Sequence, residues 1–452
     1  MALTIKMKAL AAVCALSFAP AASAETLAGA LTEAYEHSGL IQQNRALLRA
    51  ADEDVAQAVA QTLPIINWSV NANAQSNRAP GQELISANAQ ISGSLLLYDN
   101  GATQFAIDAQ KELVLATRQT LRNVEQQVLL RAVQAYLDVR SASEFVTLRR
   151  NNVRLITEEL RAAQDRFEVG EVTRTDVALA EARLAATRSL LAASEGDLAR
   201  SREEYRNAVG RFPGSLSAVK PAPVARGLSD AKAYAERSHP LILQAQHNVK
   251  AAELNIQRTD AELSPTARLN ATIGINDDFD DSSSIGVTVG GPIYQGGALS
   301  SQIRQAMANR DSARASLHLT RHNLNQGVGN AFANLEVARA SRAASEEQIR
   351  AATVAFRGIR EEATLGARTT LEVLIAEQDL LDARANLISA QSDEVVASYA
   401  LLSATGLLTA EHLKLPVQQF DPAAYYNLVK DAPGILSEQG ASLDRVLRAI
   451  GD

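Results

Sequence analysis

Residues 85–101 read ISANAQISGSLLLYDNG, and this stretch alternates between two kinds of side chain. Every second position from Ile85 to Leu97 is apolar or glycine, while Ser, Asn and Gln fill most of the positions between them. A period of two residues is typical of a β-strand with one apolar and one polar face. The stretch therefore predicts a strand that ends at Tyr98.

Three further stretches, within 66–75, 268–276 and 284–289, share this alternation. The predicted strands are about 9–12 residues long, the length that crosses a bilayer when tilted. Their polar faces carry Asn, Ser, Gln and Thr with almost no charge, which suits a water-filled lumen better than the surface of a soluble protein. The alternative is a pair of hairpins packed on a soluble helical bundle.

Four strands are too few to close a membrane barrel, since the smallest bacterial ones have about 8. An open sheet edge in lipid would leave backbone groups without partners. Several chains must therefore pool their strands if the strands span a membrane. Two chains would give about eight strands around an interior filled by side chains, and three would give about twelve around a passage. The pattern thus predicts a homo-oligomer and a pore together.

The motif after the first predicted hairpin recurs once. Tyr-Asp-Asn-Gly at 98–101 matches Tyr-Gln-Gly-Gly at 294–297, an offset of 196 residues. Upstream the offset is 201. Pairs related by these offsets include Gly170 and Gly366, Glu181 and Glu377, Gly210 and Gly406, and Pro64 and Pro265. The chain therefore consists of two copies of one unit.

The repeat predicts the domain organisation. A first structural repeat covers 25–210 and a second covers 241–406, with a proline-containing linker at 211–240 and a tail at 407–452. The predicted β-hairpins are 65–98 and 267–293. After each hairpin, apolar residues recur four and three apart, a heptad pattern that predicts long helices in a left-handed supercoil. Gly170 and Gly366 stand where a helix would end, so each repeat should contain a helical hairpin with its tip there.

Composition narrows the function classes. The chain has 452 residues, 46% hydrophobic but only 4% aromatic, which favours close helix packing over an ordinary enzyme core. Residues 1–24 resemble a secretory signal peptide and contain the only cysteine, Cys14. Removing them leaves 42 basic and 51 acidic residues, a net charge of −9 that does not suggest nucleic-acid binding. No run of 18 apolar residues follows Ala24.

Two groups of side chains are weighed as metal sites and set aside. His318 and His322 are four apart on a predicted helix, but no metalloprotease glutamate accompanies them. The acidic cluster at 277–281 lacks the EF-hand spacing and its glycine. No nucleophile elbow, P-loop or dinucleotide fingerprint is present. We therefore predict no catalytic residues, no cofactor and no metal.

The sequence resembles the TolC family of outer-membrane efflux and secretion channels over nearly the whole mature chain. The residues that carry the resemblance are 97–101, 293–297, the tip segment 166–177 and, most specifically, 365–374. The resemblance implies a homotrimer in the outer membrane of a Gram-negative bacterium, surrounded there by lipid. Its twelve-stranded β-barrel would continue into the periplasm as an α-barrel. It also implies a periplasmic adaptor (membrane fusion protein) and an inner-membrane ABC or RND transporter as partners.

The same resemblance implies a constriction at the periplasmic end. Glu372 matches a position of the family's acidic ring, Arg368 matches a gate arginine, and Asp176 is placed with them at the constriction. Two positions depart from the family pattern, since Ile375 replaces a second acidic residue and Ala363 replaces a tyrosine. The alternative for Glu372 and Arg368 is an ordinary solvated helix surface.

The tip residues Val169, Gly170, Leu365 and Gly366 are the candidate adaptor contacts, because small and apolar exposed turn residues suit docking by a helical hairpin. Simple helix capping is the other explanation. The predicted function is a passive exit duct for small molecules or for proteins of a type I secretion system, without enzymatic activity. The alternative is a soluble periplasmic coiled-coil scaffold.

Overall fold

A computed structural model describes residues 24–74, 85–224, 227–434 and 437–451. The predicted signal peptide, apart from Ala24, lies outside these ranges, as does Gln75 at the end of the first predicted strand. The strands are β1 (Ile65–Ala74), β2 (Ile85–Tyr98), β3 (Thr266–Asn276) and β4 (Asp281–Gly290). The helices are α1 (Leu27–His37), α2 (Gly39–Ala60), α3 (Ala102–Glu168), α4 (Arg174–Val209), α5 (Leu228–Ser238), α6 (Pro240–Ala261), α7 (Ala298–Thr364), α8 (Thr370–Thr405), α9 (Ala424–Val429) and α10 (Glu438–Gly451).

The four strands form one antiparallel sheet in the order β1-β2-β3-β4. The register brings like side chains together across the strands, since Ile91 pairs with Trp68 on one side and Ile273 on the other. Trp68 is 79% exposed. This face is therefore apolar across the sheet and is not covered by any part of the described chain.

The opposite face of the sheet is polar. Ser92 pairs with Asn67 and Thr272, and Thr272 pairs with Ser284. β4 ends at Gly290, three residues before the predicted limit of 293, since Pro292 lacks the N–H that a ladder needs. Among the described strands, β1 and β4 each pair on one side only, so this sheet has two free edges.

Each sheet hairpin leads directly into a long helix. α3 and α7 are both 67 residues long, about 100 Å at the usual helical rise. α3 begins after Gly101, whose φ is +84°, and the Asp99 carboxylate accepts bonds from the backbone N–H groups of Gly101 (3.0 Å) and Thr103 (2.7 Å). A carboxylate at a helix N-terminus satisfies N–H groups that have no partner within the helix.

Many of the predicted heptad positions are buried, some against the second helix of the hairpin and some against neighbouring helices. They include Ala132, Val139 and Val146 on α3, and Leu324, Val328 and Leu335 on α7. Each long helix is followed by one of 36 residues, α4 or α8. α7 continues without a break through Gly327 and Gly329. None of the helices in the described ranges has a stretch both long and apolar enough to cross a membrane.

The predicted linker at 211–240 is too long. Residues 228–238 form α5, which buries Ala231 and Ala235 against a cluster that includes Leu324 and Val328. Pro240 is the first residue of α6, where a proline is tolerated because that N–H needs no partner. α5 and α6 therefore occupy the positions in the second copy that α1 and α2 occupy in the first.

The largest core surrounds the middle of α3 and includes residues of α1, α2, α4, α8 and the tail. Tyr136 is fully buried there, and its hydroxyl lies 2.8 Å from the Glu25 carbonyl oxygen and 2.9 Å from that of Ser217. Leu408 and Leu415 anchor the start of the tail in the same core. The tail then forms α9 and α10.

Gly366 and Gly358 allow a paired test of the second hairpin. Gly366 has φ +77°, a backbone conformation that costs an L-residue about 1–2 kcal/mol, so Gly366→Ala should lower the free energy of unfolding by that amount. Gly358 lies inside α7 with open space around its Cα, so Gly358→Ala should raise it by roughly 0.5–1 kcal/mol. Denaturant unfolding followed by circular dichroism measures both, and shifts of the same sign would contradict the assignment.

Candidate functional site

The turns at the tips of the two helical hairpins have the same hydrogen-bond pattern. After α3, Gly170 (φ +81°) donates its N–H to the Phe167 carbonyl at 3.0 Å, and Glu171 donates to that of Arg166 at 2.9 Å. After α7, Gly366 and Ala367 donate in the same way to Ala363 (3.1 Å) and Glu362 (2.9 Å). Both are Schellman motifs, which satisfy the last carbonyls of a helix. The tip glycines therefore have a structural role that does not depend on a partner.

The helix that follows each tip begins with a capping box. The Glu372 carboxylate accepts bonds from the Thr369 backbone N–H (2.8 Å) and hydroxyl (3.0 Å), while Thr369 Oγ1 accepts from the Glu372 N–H at 3.3 Å. Asp176 and Thr173 repeat this arrangement at the first tip. The bonds from Thr173 lower the pKa of Asp176. These caps were not predicted, although the spacing Thr-x-x-Glu at 369–372 could have identified one.

Arg368 connects two carboxylates at the second tip. Its guanidinium donates to Glu362 at 2.8 Å and to Glu372 at 2.9 Å. Hydrogen bonds from Thr369 and Arg368 lower the pKa of Glu372, and the two carboxylates raise the pKa of Arg368. This set of three residues keeps one net negative charge near neutral pH. The first tip has Val172 at the position equivalent to Arg368, so only the second tip carries the arginine.

The tips also present apolar side chains to solvent. Val169 is 72% exposed and Leu365 is 85% exposed. Ile375, one turn after Glu372, is exposed as well. A Cβ added at Gly170 or Gly366 would meet no atom within 4 Å, so neither turn is crowded by its own chain. The predicted contact residues therefore form two separate, accessible points at the ends of the hairpins.

A buried carboxylate that the sequence analysis did not single out lies behind the second tip. Glu377 on α8 is only 4% exposed, and its Oε1 accepts a hydrogen bond of 2.8 Å from Asn152 Nδ2 on α3. α8 buries adjacent residues in pairs, Val373 with Leu374 and Leu380 with Leu381, because it packs between two helices. That doubled apolar pattern was the available signal for a buried position at 377.

The structure shows the surroundings of the acidic side chains that were weighed as metal ligands. In the part of the chain that the structure describes, no group of three or more His, Cys, Asp and Glu side chains could hold a metal ion. In the acidic loop, Asp277 accepts the Ala87 N–H at 3.2 Å and the Asn276 side chain accepts the Asp280 N–H at 2.7 Å. The bond within the loop closes the turn between β3 and β4, and the bond from Ala87 ties the loop to the neighbouring strand β2.

Comparison with known proteins identifies the family. The family model described as "Outer membrane efflux protein" matches this chain twice, over residues 30–211 and 234–407. This chain belongs to that family. The two matches correspond to the two copies seen in the sequence and in the fold. The family consists of channel proteins of the outer membrane, so the chain is an outer-membrane channel protein and not an enzyme.

Relatives support the assignment. The chain is 40% identical to the outer membrane efflux protein BepC of Brucella suis over 422 residues, which cover 91% of this chain and 92% of BepC. It is 25% identical to the outer membrane protein TolC of Escherichia coli over 430 residues, 88% of this chain and 85% of TolC. It is 26% identical to the alkaline protease secretion protein AprF of Pseudomonas aeruginosa over 326 residues, 68% of this chain and 67% of AprF.

The fold also resembles solved structures. The structure of CusC matches with a TM-score of 0.77 over 84% of this chain and 91% of CusC, at 18% identity. The predicted resemblance to the TolC family and the predicted fold class, mainly α with a small β part, are confirmed. The family assignment favours the channel over a soluble periplasmic scaffold.

Proposed function

We propose that this protein is a homotrimeric exit duct of the outer membrane, which passively conducts substrates delivered by an inner-membrane transporter and a periplasmic adaptor. The observation that carries the proposal is the four-stranded sheet of the described chain, with one apolar face, one polar face that carries almost no charge, and two free edges. In hydrocarbon each free edge must find a partner strand. Joining β4 of one chain to β1 of the next satisfies both edges, and three chains give about twelve strands around a water-filled lumen.

A second surface of the lone chain supports assembly. Leu319 and Val354 on α7 are 61% and 69% exposed and lie 35 residues, five heptads, apart. Val337, also exposed, belongs to the same heptad stripe, which is opposite the stripe that faces α8. Exposed alanines at 333, 340, 344 and 351 continue this stripe. A helix with two apolar stripes packs between two neighbours, so the outer stripe of α7 fits a helix of the adjacent chain.

The tip of the second hairpin supplies the proposed constriction. Three copies would bring Glu372 and Arg368 close together around the threefold axis, with Asp176 nearby on the first hairpin. Each copy contributes Glu362, Arg368 and Glu372, so the ring keeps a net negative charge that attracts cations and repels anions. The capping boxes hold these carboxylates in defined positions at the helix starts.

The exposed tips supply the proposed adaptor contacts. Val169, Gly170, Leu365 and Gly366 lie at the ends of the hairpins and are exposed to solvent. Exposed apolar side chains beside an uncrowded turn suit contact with the apolar tip of another helical hairpin. An ABC or RND transporter would provide the energy, because the duct itself has no reaction to perform.

The sheet is tested by arginine substitutions on its two faces. Ile91 lies on the apolar face and Ser92, its neighbour, on the polar face. Ile91→Arg should strongly reduce the yield of outer-membrane trimer, since an arginine facing lipid costs about 2–4 kcal/mol near the bilayer centre. Ser92→Arg should leave the yield close to the wild-type level. Unheated gel electrophoresis of detergent extracts measures the trimer, and equal losses would contradict the barrel.

The charge of the constriction is tested by conductance in planar bilayers. The purified protein should form discrete channels that prefer cations. Glu372→Gln should weaken that preference, while Arg368→Gln should strengthen it, because Glu362 and Glu372 then lose their shared partner. Reversal potentials in a KCl gradient report both changes, with Glu195→Gln, in a surface ion pair of α4, as the control. The duct hypothesis fails without discrete channels.

A second function is protein export, which the relative named for alkaline protease secretion favours. The 40% identical relative is named for efflux instead. Deleting the gene separates the two, since loss of efflux should raise sensitivity to toxic small molecules and loss of secretion should remove proteins from the culture medium. Restoring the gene must reverse the affected phenotype. A deletion that changes neither property would contradict both functions.

A further inference from the structure

The two helical hairpins of one chain touch near their tips through a small apolar cluster. It consists of Ile156 on α3, Leu184 on α4 and Leu374 on α8, with Val153 and Leu160 partly buried against it. Glu377 lies one turn beyond Leu374 and reaches the same seam, where Asn152 donates to it. This contact therefore joins the second hairpin to the first close to the proposed constriction.

The surroundings of Glu377 offer few partners that would stabilise an ionised carboxylate. Its Oε2 is buried and has no hydrogen-bond partner among the described side chains. The charged groups that face it are Glu159 on α3, Arg183 on α4 and Arg360 on α7. Arg360 lies 3.4 Å from Glu159, and Arg183 donates to Gln378, so both arginines are engaged elsewhere. Burial, followed by the charge of Glu159, raises the pKa of Glu377 to about 7.

Assembly cannot relieve this burial. Additional chains only remove exposed surface, and Glu377 is already inside the contact between the hairpins of its own chain. The equivalent residue of the first copy, Glu181, is exposed. The buried carboxylate is thus a property of one hairpin and not of the repeated unit.

We propose that Glu377 is a proton-operated latch between the two hairpins. As the neutral acid it lets the second hairpin pack against the first, and its ionisation loosens that packing. The latch rests on the proposed function, because movement of the second hairpin is what would widen the constriction of a duct.

The direction of the pH dependence follows from linkage. A carboxyl whose pKa is higher in the packed state than in the separated state stabilises packing at low pH, and this stabilisation is lost as the pH rises through the pKa of the packed state. With the packed value near 7 and an ordinary value near 4.5, the packing equilibrium should weaken on the order of 30-fold between about pH 5.5 and 8.5. Glu372 cannot produce this change, since its pKa is lowered.

Hydrogen exchange of the full-length trimer in detergent tests the latch. Amide protection over 150–156 and 374–381, corrected for the intrinsic pH dependence of exchange, should fall between pH 5.5 and 8.5 in the wild type. Glu377→Gln keeps the shape of the side chain without the charge, so its protection should stay constant. Glu181→Gln, the matched control, should behave like the wild type.

A second variant protects the test against misfolding of the first. Glu159→Gln removes the like charge and frees Arg360, so it should move the midpoint of the transition to lower pH. The latch is overturned if wild-type protection does not change with pH, if Glu377→Gln keeps the wild-type transition, or if Glu159→Gln leaves the midpoint in place. Bilayer conductance judges the duct separately, since exchange reports hairpin packing whether or not the protein conducts.

Discussion

The edges of the sheet impose the constraint on which the rest of the structure depends. β1 and β4 each leave a row of backbone groups without partners, and the described part of a single chain offers no further strand to pair with them. Because the apolar face of the same sheet favours a lipid environment, water is not available there to hydrogen-bond the edge groups instead. In the proposed trimer, closure by sister chains answers both problems. It also brings the hairpins of neighbouring chains side by side, where the outer stripe of α7 needs a cover.

The tips show how one set of residues serves capping and charge together. Glu372 closes a capping box, accepts from Arg368 and remains near the surface. These roles do not compete, because each carboxylate oxygen can accept more than one hydrogen bond. The local bonds give a carboxylate the fixed position that a narrow charged ring requires. In the proposed assembly, the exposed leucine and valine beside the glycine turns are the surface that an adaptor would cover.

Local periodicity explains how much of the fold was predictable. The strands follow from alternation over a few neighbouring residues, and the hairpin ends follow from a glycine after a heptad stretch. α5 was missed because it has only 11 residues and lies among prolines that indicate a linker. The burial of Glu377 was not predictable from its own helix, since it depends on Asn152, which is 225 residues away. Glu181, the same residue type at the equivalent position of the first copy, is exposed to solvent. An equivalent position in the repeat therefore does not determine whether a side chain is buried.

The central pairing of β2 with β3 has a consequence for how the chain matures. Ile91 and Ile273 are partners although they lie 182 residues apart in the sequence. Contacts of such long sequence separation form slowly, because the loop must close before the pairing stabilises it. The first β-hairpin also precedes its partner hairpin by almost two hundred residues in the chain. Until the second hairpin pairs with it, the first one exposes an apolar face and an unpaired strand edge. The newly exported chain is most prone to aggregation in that interval.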